Sequence, residues 1–286
     1  EVYCLPFYLF NNPDAAKSFL KFRYNTLPQA MERARALDCD GAFYPVATIS
    51  GRECCDLWQH ASLQLQASTG VAYGLWNYVH QTGDRDFLYE YGVPMLIEIS
   101  RMLASRGDFD PVTGQYGYYC VMGPDEFEMM VHHNAYTNFM GKKSLEFTLE
   151  TLSQMERDRP EAYAGLALKE GELADWRDKA DRMYFPCDPG TGLVEHHMGY
   201  FQLPRKDVAS IPVEEFPLYA HWSYERIYRN DMIKQPDVLM LFLLYGADFT
   251  QKQLEANFEF YEPRCIHESS LSPSIHSILA CRLGRM

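Results

Sequence analysis

The chain is poor in positive charge. It carries 26 Lys and Arg against 39 Asp and Glu, a formal net charge of −13, and no block of basic residues. Nucleic-acid backbones and anionic membrane surfaces need a basic face, so neither is expected as a partner. Long apolar runs are also missing. The most apolar stretch, Val238 to Leu244, is far shorter than the roughly 18 to 20 residues of a spanning helix. Eight cysteines are present, Cys4, Cys39, Cys54, Cys55, Cys120, Cys187, Cys265 and Cys281, but no CxxC pair, which weakens any zinc reading. No secretory segment is read at the start. Free thiols in a reducing cytosol are therefore expected.

Several catalytic signatures are missing too. There is no GxSxG, so an α/β-hydrolase triad is unsupported. No Gly-rich turn follows a strand, which disfavours a doubly wound nucleotide fold. His132-His133 and His196-His197 lack the spacing of the zinc-protease helix, and no metal is expected. No fixed-period repeat of the solenoid kind occurs.

What remains is an ordinary globular balance. The 286 residues are 47% hydrophobic, enough for an ample core. Aromatics reach 14%, with 20 Tyr and 17 Phe, and rings serve both large cores and sugar stacking. The spacing predicts helices over 15–37 with a break at Pro28, and over 57–80, 85–105, 134–155, 160–184, 230–245, 250–261 and 272–283. Asn12 reads as a helix cap with Pro13 at the first helical position. A small hairpin is expected in 108–122, and a long ordered loop over 185–222. No linker is evident, so one domain over 1–286 is expected. Both ends look abrupt. Glu1-Val2-Tyr3-Cys4-Leu5-Pro6 begins inside apolar sequence, and 277–286 ends on a helix that has barely finished. The expectation is a part of a longer protein.

Three constellations could carry chemistry. The first is Gly123-Pro124-Asp125-Glu126-Phe127, followed by His132 and His133. A carboxylic acid that donates a proton near neutral pH needs a raised pKa, which neighbouring carboxylates and apolar packing supply. An acidic turn of this kind is more often a solvated surface. The second is Lys234-Gln235-Pro236-Asp237, at the head of an apolar helix. An ammonium and an amide there could hold an anion or sugar hydroxyls, though a surface Lys and a capping Asp read equally well. The third is His267-Glu268-Ser269-Ser270-Leu271-Ser272-Pro273. Its hydroxyls and backbone N–H groups suit a phosphate nest, or simply a capped helix start.

Taken together and in order, these segments resemble glycoside hydrolase family 65, the family of maltose, trehalose, kojibiose and nigerose phosphorylases. The resemblance lies in GPDEF with HNAYTN, then KQPDVLM, then EPRCIHESSLSPSIHSILA. Segments 22–27 and 41–51 extend it towards the start. It implies an all-α fold, an (α/α)6 barrel incomplete at both ends. The family's N-terminal β-sandwich and C-terminal domain are not seen in the sequence. It implies inverting phosphorolysis of an α-glucosyl disaccharide, giving β-glucose 1-phosphate and a released sugar. Glu126 would be the general acid, supported by Asp125, which would also count among the substrate-binding residues. Lys234 and Gln235 would grip the non-reducing glucose. His267, Ser269 and Ser270 would hold phosphate, a co-substrate, with no cofactor needed. Many relatives read VDNNAYTN where this chain reads Val131-His132-His133-Asn134, so His132 and His133 would touch the leaving sugar. The segment 185–222, with His196, His197 and Trp222, would shape the same subsite. The wording MGPDEFEMMV leans towards nigerose or kojibiose over maltose or trehalose. The alternatives are an inverting hydrolase, with Glu268 as an awkward base, and a barrel that binds sugar without turnover. A second copy of the chain is the protein partner expected.

Overall fold

In the structure, a computed structural model describing residues 1–285, helix dominates, as the all-α expectation requires. Contacts group the chain into two compact units, each made of two separate stretches. One comprises Glu1–Gly117 and Met140–Met183, the other Tyr118–Phe139 and the chain from Tyr184 onward.

The first unit opens with α1 (Leu5–Asn11), α2 (Pro13–Asn25) and α3 (Leu27–Ala36). The Asn12 side chain accepts the Ala15 N–H at 3.2 Å and Pro13 starts α2, as the sequence predicts. The expected helix 15–37 breaks at Thr26, ahead of Pro28. Pro28 instead sits in the first turn of α3, where its missing N–H has no intrahelical partner to lose. The expected helix 57–80 divides at Gln64 into α4 (Trp58–Leu63) and α5 (Gln66–Thr82). Then come α6 (Arg85–Phe87), a π-turn over Leu88–Gly92, and α7 (Val93–Arg106), which Pro94 enters in its first turn. The core of this unit lies between α5 and α7, on Val71, Leu75 and Tyr78 and on Met95, Leu96, Ile99 and Leu103. Strands β1 (Asp108–Phe109) and β2 (Tyr116–Gly117) pair antiparallel, Asp108 with Gly117 and Phe109 with Tyr116. The ladder stops there because the Tyr118 N–H donates to the Asn138 side chain instead, at 3.2 Å.

Helix α8 (Ala135–Asp158) begins in the second unit and continues in the first, followed there by α9 (Pro160–Ala164) and α10 (Glu172–Asp181). The second unit adds α11 (Leu218–His221), α12 (Tyr224–Tyr228), α13 (Asp237–Leu244), α14 (Gln251–Tyr261) and α15 (Ser272–Arg282). Thr250 and Gln253 form a reciprocal capping box on α14. Helix α13 is apolar almost throughout and packs on α14 and α15. The expected helix 230–245 is shortened at its start. Residues before Asp237 stay non-helical because the Lys234 and Gln235 N–H groups bond a distant side chain, described below. The segment 185–222 is largely the long ordered loop expected, with short 3-10 turns at 200–202, 208–210 and 213–215 and α11 near its end. No helix of the described residues is long and apolar enough to cross a membrane. Cys4, Cys39, Cys54, Cys55, Cys187, Cys265 and Cys281 are free thiols.

Candidate active site

The acidic loop is closed by a two-residue clasp. Val121 and Val131 exchange backbone hydrogen bonds of 2.9 and 3.0 Å, so 122–130 leaves and returns at one point. Within it the carboxylates face opposite ways. Asp125 is fully buried, and its Oδ1 accepts three backbone N–H groups: Phe127 at 3.2 Å, Lys234 at 2.9 Å and Gln235 at 3.2 Å. Phe127 anchors the loop in an apolar cluster with Ile211, Leu218, Trp222, Met232 and Ile266. Glu126, between these two inward side chains, turns outward. Its side chain is 34% exposed, and its carboxylate forms an ion pair with the Lys234 ammonium. Gly123 lets the loop lie flat, since a Cβ there would overlap the Asp237 carboxylate and the Asn134 amide.

A second junction joins Lys234-Gln235 to the serine segment. The Ile233 N–H donates to the Arg264 carbonyl and the Ile266 N–H to the Ile233 carbonyl, both at 3.0 Å. This short parallel pairing carries the chain into His267, whose backbone is left-handed at φ 53°. It also brings the Gln235 amide within reach of Ser269, with Nε2 donating to Oγ at 2.8 Å. Ser269 Oγ accepts the Leu271 N–H at 3.1 Å as well, and Ser270 stands exposed beside it. Glu268 points elsewhere. One of its oxygens accepts the Leu218 N–H, and the other is buried without a hydrogen-bond partner.

Beneath the loop lies a layer of buried acids and imidazoles that the sequence did not reveal. His196 Nε2 stands 3.5 Å from Asp125 Oδ2 and 3.6 Å from Asp237 Oδ2, all three side chains sealed from solvent. Asp237 is tied further by the Asn134 amide at 3.0 Å, and Asn134 also caps α8 through the Thr137 N–H at 2.9 Å. Burial raises the Asp125 and Asp237 pKa values well above the ordinary carboxyl range. The charge of Glu128 adds to the shift of Asp125, and that of Asp125 to the shift of Asp237. Burial likewise lowers His196, helped by neighbouring His197.

Glu128 and His197 form the second buried pair, Oε2 to Nε2 at 2.9 Å. The tautomer follows from the other nitrogen. His197 Nδ1 lies 3.0 Å from the Met198 carbonyl, which can only accept, so Nδ1 carries a proton. Nε2 then either accepts a proton from a neutral Glu128 or carries one itself beside a carboxylate. Either way one proton is shared. Burial favours the neutral pair, pushing Glu128 up, with Asp231 adding, and His197 down.

The structure thus brings Glu126, Lys234, Gln235, Ser269 and Asp125 into one connected run of contacts. Asp125, grouped from sequence with the sugar-gripping residues, is sealed from solvent here. Its one engaged oxygen holds the loop to 234–235, so its visible part is to position Glu126. His132 and His133 separate. His132 is exposed and its Nδ1 accepts the Cys120 N–H at 3.1 Å. His133 is buried, with its ring 4.7 Å from that of Tyr119 and 4.8 Å from that of Tyr184. His196, His197 and Trp222 are also buried and present no open face to a sugar. Glu128, His196, His197, Asn134 and Asp237 were missed as a network because they meet across roughly 40 to 110 residues of chain. The only local hint was the density of titratable groups in 125–133.

Comparisons with known proteins follow from this geometry. The family model for the glycosyl hydrolase family 65 central catalytic domain matches residues 1–286. The chain belongs to glycosyl hydrolase family 65. An α,α-trehalose phosphorylase from Thermoanaerobacter brockii is 39% identical over 99% of the chain and 37% of its own length. A maltose phosphorylase from Bacillus subtilis is 36% identical over 99% of the chain, and a kojibiose phosphorylase from Halothermothrix orenii 34% over 99%. A solved structure described as a putative kojibiose phosphorylase from human microbiome superposes with a TM-score of 0.95. It is 49% identical over 99% of the chain and 38% of that chain. The chain therefore spans well under half the length of the relatives it matches. Within family 65 the helical make-up agrees with the (α/α)6 class, and the single family domain covers both compact units.

Proposed function

We propose that this chain carries the catalytic centre of an inverting α-glucoside phosphorylase, with inorganic phosphate as co-substrate and no cofactor. The observation that carries the reading is the continuous junction from Glu126 to Lys234, and from Gln235 to Ser269. It joins a candidate proton donor, sugar-gripping groups and a candidate phosphate nest. In the reaction Glu126 gives its proton to the glycosidic oxygen as the bond from that oxygen to the anomeric carbon breaks. A phosphate oxygen forms the new bond from the opposite face and inverts the carbon. The proton lost by the hydrogen phosphate restores the acid, so the step balances without a base for water. Lys234 would exchange its ion pair with Glu126 for sugar hydroxyls when the disaccharide binds. His267, Ser269 and Ser270 would supply donors to phosphate against the unfavourable field of an acidic chain. Glu268 is engaged with the Leu218 N–H, which disfavours it as the base of a hydrolase.

The phosphorylases of trehalose, maltose and kojibiose among its relatives support an α-glucosyl disaccharide as substrate. We favour a kojibiose- or nigerose-type linkage, and of the two adjacent histidines His132 has the exposure to meet the leaving sugar. Free thiols at Cys4, Cys39, Cys54, Cys55, Cys187, Cys265 and Cys281 suit a reducing cytosol. The test is to incubate the full-length protein with phosphate and a panel of α-glucosyl disaccharides, and to identify the sugar phosphate and its anomer. β-Glucose 1-phosphate from one of them, with no turnover lacking phosphate, is expected. Glucose release independent of phosphate would overturn the reading in favour of hydrolysis.

A further inference from the structure

The segment that carries Ser269 and Ser270 also gathers a cluster of metal-ligating atoms, one of them on His267, which the proposed phosphate nest shares. Cys265 is buried, and the Ile233 pairing fixes its direction. Two residues on, the left-handed backbone of His267 folds its ring back, leaving Nδ1 3.7 Å from Cys265 Sγ. His276 comes from the second turn of α15, its ring centre 4.7 Å from that of His267. One ligand atom from each of Cys265, His267 and His276 lies within 4.8 Å of the others.

The chemistry of His276 is the deciding observation. Its Nδ1 donates to the Ser272 carbonyl at 2.8 Å, so in the neutral ring Nε2 bears the lone pair. That nitrogen is buried and has no hydrogen-bond partner, on a residue only 6% exposed. An imidazole with one N–H fixed on a backbone carbonyl and the other nitrogen bare is the form in which histidines bind metals. The separations fit as well. A tetrahedral cation with one sulfur at about 2.3 Å and one nitrogen at about 2.0–2.1 Å sets them about 3.6 Å apart. The wider separations need to close by about 1 Å, within reach of a side-chain rotation.

We propose that Cys265, His267 and His276 form a binding site for one thiophilic divalent cation of the zinc type. The donor set selects the class: one sulfur and two imidazoles suit Zn2+ and disfavour the oxygen-seeking Mg2+ and Ca2+. On binding, the Cys265 thiol loses its proton to solvent and both imidazoles contribute lone pairs without any change of oxidation state. The exposure of His267 leaves a fourth position for water. Because His267 also belongs to the proposed phosphate nest, cation and phosphate would compete for it, and occupancy is read without phosphate and without turnover.

The test uses the full chain, metal-free, in phosphate-free buffer with a non-thiol reductant. Zn2+ is titrated against a competing indicator, and Co2+ is added for its thiolate-to-metal absorption. One Zn2+ per chain and a cobalt–thiolate band are expected. Cys265→Ser should abolish the band and weaken Zn2+ by about tenfold or more. His276→Gln should weaken it similarly, being a lost ligand where even an outer partner is worth about 10–100-fold. Should His276→Gln fail to fold, His267→Asn, at an exposed side chain, gives the same reading. Absence of stoichiometric binding would overturn the proposal. So would a band that survives Cys265→Ser, since it would belong to another thiol, such as Cys120, 4.0 Å from His132 Nδ1.

Discussion

Glu126 and Glu128 are two residues apart and have opposite surroundings, so their substitutions should have opposite signatures. Glu126→Gln keeps the shape of the outward side chain but removes the proton. We expect kcat on a disaccharide to fall by about 10²–10⁴-fold with the melting temperature little changed. An activated α-glucosyl donor whose leaving group needs no proton should lose far less. Comparable losses on both donors would remove Glu126 from the acid role. For Glu128 the readout is stability against pH. The folded pair with His197 shares one proton, whereas the unfolded chain releases or gains protons at ordinary values, 4.5 for Glu and 6.5 for His. Between those values the unfolded pair also holds one proton, so the slope is flat. Above 6.5 the unfolded pair has none, so for as long as burial keeps the raised Glu128 protonated in the fold, stability falls as pH rises. Below 4.5 the unfolded pair takes up a second proton, and stability falls as pH drops. Each limb is worth about 1.4 kcal/mol per pH unit for one proton. In Glu128→Gln the amide can donate to His197 Nε2 without titrating. The alkaline slope should therefore shrink relative to wild type, by one proton from Glu128 itself and further as Asp125 and Asp237 lose the charge that helps to raise them. Equal slopes in urea titrations at pH 7 and 8 would remove Glu128 from the proton account.

At the scale of elements, the acid loop is held by three attachments: the Val121–Val131 clasp, Phe127 in its apolar cluster, and the Asp125 acceptor. Asp125→Ala would strand the Phe127, Lys234 and Gln235 N–H groups in a dry interior. At about 1–3 kcal/mol for each unsatisfied buried group, a loss of several kcal/mol is expected. Asp125→Asn keeps an acceptor oxygen and should recover most of the melting temperature. If Ala and Asn melt together, the three bonds do not hold the loop. Turn and cap chemistry in this region was legible from sequence. Pro124 beside Gly123, Asn134 as a helix start and Pro13 after Asn12 all act locally, and local rules found them. The inward–outward alternation of Asp125, Glu126 and Phe127 was not legible, because it is decided by what the loop packs on. The same cause shortened α13. Its predicted first two turns run through Lys234 and Gln235, whose N–H groups are claimed by a carboxylate more than a hundred residues earlier. Helical spacing cannot anticipate a tertiary acceptor of that kind.

For the whole molecule, the sequence disclosed the family through three ordered motifs, and the structure added how their side chains meet. The net charge of −13 then poses a question that no single contact answers. The phosphorolysis proposed above would require a doubly charged anion to be drawn towards a surface of like sign. At low ionic strength the summed field reaches tens of ångströms. At about 0.15 M salt it is confined to about 8 Å. The donors expected on phosphate, Ser269, Ser270 and His267, act at hydrogen-bond range and are largely beyond the reach of that screening. Raising salt from about 10 mM to about 150 mM should therefore remove long-range repulsion and leave the short-range grip. We expect kcat/KM for phosphate to rise by about twofold or more over that interval. The disaccharide is uncharged, so its KM at saturating phosphate should stay flat and serves as the internal control. A fall in kcat/KM for phosphate, with the control unchanged, would mean that a local cationic field, with Lys234 as its nearest source, outweighs the acidic whole. Lys234→Gln would then be expected to abolish the salt dependence. If the rise is seen instead, that substitution should leave its slope in place while lowering turnover through loss of the proposed sugar contact.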